Sequence, residues 1–529
     1  MDTSSQLLLG ALLLILSTAL LLGTKRRDGR RRLPPGPPAV PLLGSLAFLT
    51  NSPANPEPLL RRLVPRYGPV VSLWLGRRLR VYIADPRLAH AALVESGAAL
   101  ADRPRNTAFE LLGESDSNVT RARYGPTWRL LRRNLVSETL HPSRVRLFAP
   151  ARAAVREALV EKLAKQAADA GEAAPPVVEE FNYAMFCLLV LMCFGERLDE
   201  PAVRAIGEAE RAWLVYGFTK MSVFFVLPSI TKHLFRARLQ AGLAVRQRQK
   251  DLVMPLIRAR REYNKKRIEQ QQVKEEEKET TTTTFQHSYV DTLLDVRVPH
   301  EGGRALTDDE VFTLCSEFLN AGTDTTSGSL EWIMAELVKN PAIQDKLYAE
   351  IKSTCGHNYD QEEVSEEDTQ RMPYLKAVVL ESLRLHPPAH FVLPHEAAED
   401  VEVGGYTIPK GTTVNFLVAE IGRDGREWDR PMEFRPERFL PGGDGEGVDV
   451  TGSREVRMMP FGVGRRICAG INIAMLHLEY FVANLVREFE WKEVPGHEVD
   501  LTETFVFTTV MKKPLRARVV PRRRVQQNK

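Results

Sequence analysis

The residue types best suited to chemistry cluster late in the chain, in Phe461-Gly462-Val463-Gly464-Arg465-Arg466-Ile467-Cys468-Ala469-Gly470. A cysteine taken alone is usually a small buried hydrophobe. Here Gly464 and Gly470 permit a tight turn that leaves a sulfur projecting. Backbone N–H groups of such a loop can stabilise a thiolate, and Arg466, close in sequence, adds a positive charge that lowers a cysteine pKa. Cys468 and His477 are too few ligands for zinc. A second stretch, Ala321-Gly322-Thr323-Asp324-Thr325-Thr326, is built from poor helix formers. Its hydroxyls can bond back to carbonyls and bend a helix. Read blandly it is a weak piece of helix; read chemically, Asp324 and Thr325 set an acid beside a hydroxyl, which is equipment for moving protons. A third, Glu381-Ser382-Leu383-Arg384, says little alone. The same spacing occurs at Glu208–Arg211, Glu301–Arg304 and Glu420–Arg423, where its usual meaning is a surface pair one helical turn apart. Trp128 and Arg132 are four apart and share one helix face.

Together these segments resemble the cytochrome P-450 superfamily. Phe461–Gly470 is similar to its haem-binding loop, F-x-x-G-x-R-x-C-x-G, at every fixed position. The resemblance implies haem b with Cys468 as the axial thiolate on the iron, a ligand that pushes electron density onto the metal. Phe461 and Gly470 belong to the same loop. Ala321–Thr326 matches the oxygen-activation motif A/G-G-x-D/E-T-T/S, in which the small residue admits O2 while Asp324 and Thr325 deliver protons. Pro436-Glu437-Arg438-Phe439 falls between Glu381 and Cys468, the order of the family's structural triad, which implies that Glu381, Arg384 and Arg438 form a buried network. Trp128 and Arg132 match W-x-x-x-R, whose side chains donate to haem propionates. Arg466 is implied as a third donor, and His395, in Leu393-Pro394-His395, as a fourth; an exposed loop histidine is the plain alternative for His395. Long stretches, among them Phe181–Phe186 and Met192–Gly195, look like the plant branch.

The activity implied is a haem-thiolate monooxygenase that inserts one atom of O2 into an apolar small molecule. Its electrons would come from an NADPH-dependent diflavin reductase, since no flavin or nucleotide motif appears in this chain. Two other readings compete. Some relatives rearrange or dehydrate peroxides without a reductase, and typically lack the acid–alcohol pair that Asp324 and Thr325 supply. A non-catalytic haem protein is the reading from outside enzymology. By resemblance the substrate cavity draws on Phe318, Ala321, Phe391, Val392, Phe505 and Phe507, an apolar set, although each of these could equally be ordinary core.

These groups must be positioned by a chain of 529 residues, of which 43% are hydrophobic and 26% charged. Such values exclude wholesale disorder and collagen-like repeats. The net charge is +4, but residues 1–32 carry six basic and two acidic side chains, and residues 512–529 carry eight basic and none acidic. A generally basic nucleic-acid binder is not built this way; positive tails suit an anionic membrane surface or an acidic partner. Five cysteines, odd in number and scattered, fit a reducing compartment better than a disulfide scaffold.

Residues 3–24 hold no charge and are long enough for a bilayer. Asp2 precedes them and Lys25, Arg26, Arg27, Arg30, Arg31 and Arg32 follow, so a single-pass anchor with the rest of the chain in the cytosol is expected, in the endoplasmic reticulum membrane. A basic stop-transfer segment and proline-rich hinge at 25–44 follow, then one haem-thiolate catalytic domain at 45–529 with a mobile, low-complexity loop at about 262–288. The fold expected is mainly α with smaller β-sheets (α+β), the P-450 fold with an N-terminal transmembrane helix. Val70–Leu75 and Leu79–Ala84 should form a hairpin. Phe181–Gly195 reads as a buried core helix. Thr307 with Glu310 is a capping box opening a helix that ends before Pro341. Asn118-Val119-Thr120 is a glycosylation sequon that we read as chance.

Overall fold

The computed structural model describes residues 32–522, apart from 41–43, 46, 48–54, 115–116, 170–174, 226–227, 272–286 and 357–362. The expected anchor at 1–24 lies outside the described residues; among the described residues no helix is long and apolar enough to cross a membrane. The fold is mainly helical with small sheets, and the chain forms two compact units.

One unit comprises the described residues up to Arg105 with His390–Gly422 and Asp449–Ile467. Its centre is a six-stranded sheet in the order β1 (Ala39–Val40), β2 (Gly44–Ser45), β3 (Val70–Leu75), β4 (Arg78–Ile83), β6 (Thr413–Phe416), β5 (His395–Glu396). β3 and β4 are the expected hairpin, in register Val70↔Ile83, turning at Gly76 with φ +58°. β6 runs parallel to β4, with Val414 opposite Val81. Val70, Val81, Ile83, Val414 and Phe416 are buried, as β-branched and aromatic side chains suit a pleated sheet. The proline-rich segment is not a free spacer. Ser72 donates from its backbone to the Pro35 carbonyl at 2.8 Å and from its hydroxyl to the Pro34 carbonyl at 2.9 Å. Prolines leave their carbonyls as the only backbone groups to pair, and these two are used to dock the hinge on β3.

The other unit comprises Asn106–Ala389, Arg423–Val448 and the chain from Cys468 onward. The helices that matter below are α1 (Pro126–Asn134), α2 (Val178–Phe194), α3 (Glu200–Lys220), α4 (Arg236–Gln271), α5 (Asp308–Lys339), α6 (Pro373–Leu385) and α7 (Ile471–Glu488). α2 is the expected core helix, buried on most sides and closed by Gly195 at φ +70°. α5 is 32 residues long, about 48 Å at 1.5 Å per residue. Thr307 and Glu310 form its capping box, and Asn340 ends it before Pro341. α5 packs along α2 so closely that a Cβ on Gly322 would lie 2.8 Å from the Leu189 side chain. α4 runs on to Gln271, past residue 262 where the mobile loop was expected to begin. Lys265, Lys266, Arg267 and Glu269 are good helix formers, so a helix that has already nucleated extends through them although they bury little. The low-complexity run beyond Gln271 lies outside the described residues.

Candidate functional site

Cys468 stands just before α7, whose N-cap is Gly470. It keeps accessible surface although burial pushes its thiol pKa up. That combination belongs to a side chain facing an enclosed space rather than bulk water. Two features oppose the burial: a bond from the Gly470 N–H and the positive charge of Arg132. A helix N-terminus adds its own positive field. The expectation that Arg466 supplies the charge is therefore corrected; the guanidinium acting on the sulfur is that of Arg132, on α1. The two glycines also differ. Gly464 has φ +73°, and a Cβ there would lie 2.0 Å from the Leu93 carbonyl, so no other residue fits. Gly470 has φ −94°, and a Cβ there would make ordinary contact, 3.4 Å from the Ile473 side chain; its part is the N–H. His477 is buried within α7 and its pKa is pushed down to about 3 by burial, so it is a neutral core histidine. No group of His, Cys, Asp and Glu able to hold a metal ion is found among the described residues.

Trp128 and Arg132 share the inner side of α1, Trp128 being buried. The Trp128 indole donates to the Val119 carbonyl at 2.9 Å, a partner the motif does not show. Arg132 is held below the usual arginine range by burial, against the attraction of negative charge on Cys468.

The sheet-bearing unit holds a cationic cluster of its own. Arg466 donates from Nε to the Ala101 carbonyl at 2.8 Å. Arg103, which the sequence did not single out, donates to the Leu393 and Pro394 carbonyls at 2.7 and 2.9 Å. Burial and the nearby Arg466 charge press the Arg103 pKa down to about 9, with Asp102 opposing them. His395 is not an exposed loop residue: it is buried on β5 with Nδ1 2.6 Å from the Leu100 carbonyl. Burial, then Arg103, hold its pKa at about 3. Asp102-Arg103-Pro104 has no spacing that signals a site, so only the fold could find Arg103.

The acid–alcohol turn lies midway along α5. Most of this helix is buried, but Glu317, Asn320, Ala321, Asp324 and Thr325 keep accessible surface along one face. Ala321 is the open small residue; Gly322 instead serves the contact with α2. Thr325 and Thr323 bond back to the Ala321 and Leu319 carbonyls, each at 2.7 Å. Burial pushes the Asp324 carboxyl pKa up, opposed by Arg211 of α3, whose Nη1 lies 3.4 Å away.

Glu381, Arg384 and Arg438 meet in full burial. Arg384 grips Glu381 through two nitrogens at 2.7 and 2.8 Å, and Arg438 Nε reaches it at 2.9 Å. Of the other copies of this spacing, Glu301–Arg304 is the surface pair expected, at 2.7 Å. Arg211 turns to Asp324, and Arg423 to the Leu385 carbonyl and Glu503. The Asn118 of the sequon is buried, its side chain accepting from the Arg121 N–H, so it is part of a turn.

Among the expected cavity residues, Phe318 is buried with its ring 5.1 Å from that of Tyr289. Phe391 packs edge-on to Tyr82 and Val392 lies against the sheet-side core. Phe505 is exposed, and Phe507 lies 4.9 Å from Phe218.

Comparison with known proteins gives the family. The family profile described as Cytochrome P450 matches residues 34–520. Cytochrome P450 89A9 of Arabidopsis thaliana is 43% identical, over 93% of this chain and 94% of its own length. Tryptamine 5-hydroxylase of rice is 33% identical over 95% and 94%, and flavonoid 3'-monooxygenase of Arabidopsis is 31% identical over 94% and 93%. A zebrafish cytochrome P450 solved with progesterone shares the fold, with a TM-score of 0.69 at 23% identity over 88% of this chain and 100% of that one. The chain belongs to the Cytochrome P450 family, alongside plant relatives, and it is an oxidoreductase of the monooxygenase class. Membership implies haem, and the residues present fit it. Arg103 and Arg466 oppose each other's charge in a buried setting, a strain that an anionic propionate would relieve. Cys468 is a thiol whose deprotonation a metal cation would reverse from disfavoured to favoured.

Proposed function

We propose that this protein is a membrane-anchored haem-thiolate monooxygenase that oxidises an apolar small molecule. Residues 45–529 act as its catalytic domain. Residues 1–24 anchor it in the endoplasmic reticulum membrane with that domain in the cytosol. Electrons reach it from an NADPH-dependent diflavin reductase. The observation that carries the reading is the Cys468 sulfur: accessible, bonded by the Gly470 N–H and faced by Arg132 at the start of α7.

Cys468 would hold the iron of haem b. Arg132, Arg466 and Arg103 would hold its propionates, with Phe461 and Gly470 completing the loop. Trp128 holds such a role only with a change of partner, since its N–H is already paired with the Val119 carbonyl, whereas His395 pairs through Nδ1 and leaves Nε2. A propionate beside His395 would raise its pKa and let the ring donate from Nε2. When bound, haem supplies the redox chemistry that activates O2. The protein supplies the protons. Asp324, whose pKa burial pushes up, can pass one along the accessible face of α5, and the Thr325 hydroxyl beside it can orient and relay it. Ala321 leaves room next to them. Phe505 and Phe507 are apolar residues near the end of the chain that a hydrophobic substrate would meet; Phe391 and Val392 belong to the same proposed lining.

The ligand is tested by Cys468→His. The reduced protein with CO should lose its red-shifted Soret band; survival of that band overturns the assignment. The substrate class is tested by titrating the ferric protein with fatty acids, terpenoids, phenolics and pigment-breakdown products. A saturable Soret shift with one class is the expected result, and turnover of that class with reductase and NADPH follows from it. No NADPH-dependent product from any compound that shifts the band would overturn the monooxygenase role.

A further inference from the structure

Glu210 and Arg211 are consecutive on α3, yet both reach α5. Glu210 Oε2 accepts from the Ser316 hydroxyl and the Asn320 amide, each at 2.6 Å, and from the Gln249 amide of α4 at 2.6 Å. Arg211 Nη1 lies 3.4 Å from Asp324 Oδ1. Ser316, Asn320 and Asp324 are four residues apart, so α3 holds successive turns of one face of α5. The two grips are unlike. Glu210 is 1% exposed, whereas the Arg211 side chain is 57% exposed, a flexible tether on a fixed post.

The Glu210 cluster has features that packing alone does not require. Three donors converge on one oxygen, a load that suits a carboxylate better than an amide. The other oxygen, Oε1, is buried without a partner, as is Nε of Arg246. Arg246 comes from α4, is buried between the Trp213 and Phe312 rings and donates to Thr313 at 3.0 Å. Cys193 of α2 is the other titratable group facing Glu210. A buried polar atom left unanswered costs stability, so the unpartnered Oε1 is a cost that packing of the two helices does not itself require.

We infer that Glu210 is a positioning residue for proton delivery: by gripping Ser316 and Asn320 it keeps α3 docked on α5, and so keeps Arg211 beside Asp324. The inference rests on the reading of Asp324 as the proton-handling acid. Arg211 is the charged group whose field acts on Asp324; Glu317, the other carboxyl on that face, is occupied by the Val119 and Thr120 N–H groups at 2.9 and 2.5 Å. If α3 lifts, Asp324 loses its cation and holds its proton more tightly. Proton supply thus depends on the docking of a helix that does not itself carry the acid.

The test compares Glu210→Gln, Glu210→Asp, Arg211→Gln, the Glu210→Gln/Arg211→Gln pair and Asp324→Asn in the full-length holoenzyme with reductase. The readout is product formed per NADPH across pH, together with hydrogen exchange at residues 312–326 in the resting protein. Arg211→Gln should move the limb where coupling falls to higher pH, because the cation that lowered the Asp324 pKa is gone. Glu210→Gln should move it the same way, by about half a pH unit or more, and raise hydrogen exchange at 312–326 several-fold. Glu210→Asp should lie nearer the parent protein. The double variant should move no further than Arg211→Gln, since both act through one contact. Should Glu210→Gln fail to load haem, Asn320→Ala removes one of the same bonds and is read identically. An unmoved limb in Glu210→Gln or Asn320→Ala, while Asp324→Asn is uncoupled, overturns the role of Glu210 and leaves that of Asp324 standing. Asp324→Asn with unchanged coupling overturns the reading of Asp324, and this inference with it.

Discussion

Two buried glutamates, Glu381 on α6 and Glu210 on α3, show how one residue type serves different ends. Every oxygen of Glu381 is answered: Oε1 accepts from Arg384, Arg438 and the Arg435 N–H at 2.8, 2.9 and 2.9 Å, and Oε2 from Arg384 at 2.7 Å. The arginines are saturated in turn, Arg384 by the Pro431 carbonyl and Arg438 by the Asp429 and Arg430 carbonyls and Asp444. Glu210 loads three donors on one oxygen and leaves the other with none. A saturated network has one arrangement and holds it. An unsaturated one, next to the helix face that carries Asp324, can change its arrangement. Stability and function divide along that line.

The comparison breaks most readily at Glu381. Glu381→Ala leaves two buried guanidinium groups without their anion, and we expect a loss of about 3–5 kcal/mol, read by denaturant unfolding or as failure to accumulate haem-loaded protein. A loss under about 1 kcal/mol would mean that the network is not the strut its geometry describes.

Glu331, buried on α5 and accepting from the Leu515 N–H at 2.9 Å, sharpens the point with pH. Burial raises its pKa from 4.5 to about 7. The folded state therefore binds a proton that the unfolded state releases between those values, and stability falls as pH rises from 4.5 through 7. Glu331→Gln keeps the acceptor and removes the titration. It should match the parent protein near pH 4.5 and exceed it above pH 8 by up to about 3 kcal/mol, at 1.4 kcal/mol per pKa unit. Parallel stability curves for the two proteins from pH 5 to 8 would contradict this.

Thr325→Ala removes a hydroxyl bonded within its own helix turn. Its stability should change by less than about 1 kcal/mol, while a larger share of NADPH electrons should emerge as hydrogen peroxide instead of product. Unchanged coupling would return this threonine to the status of a helix residue. The smallest effect belongs to Glu200–Arg204, an exposed pair one turn apart: Glu200→Ala should shift the thermal midpoint by no more than about 1 °C.

Local features were legible in sequence because their causes are local. The capping box at Thr307 and Glu310 sets where α5 begins, and Pro341 sets where it ends. Two runs rich in β-branched and aromatic residues on either side of Gly76 produce the β3–β4 hairpin. The turn at Gly464 needs a positive φ that glycine alone adopts freely. Spacing also placed Cys468 beside the Gly470 N–H. What spacing could not supply was which side chain meets which. Arg132, not Arg466, acts on the sulfur; Phe318 packs into the core; Trp128 spends its N–H on Val119; and α4 continues through residues whose charge suggested a loop.

Read alone, the chain placed the ends of α5, the β3–β4 hairpin, the cysteine loop and the acid–alcohol pair, since caps, turns and motif spacing act within a few residues. The tertiary structure alone decided that Arg103 joins Arg466, that Arg211 abandons its neighbour Glu208 for Asp324, and that Glu210 is buried against Ser316 and Asn320. Those pairings join residues up to hundreds of positions apart, and the burial that gives them their energy exists only once the chain has packed.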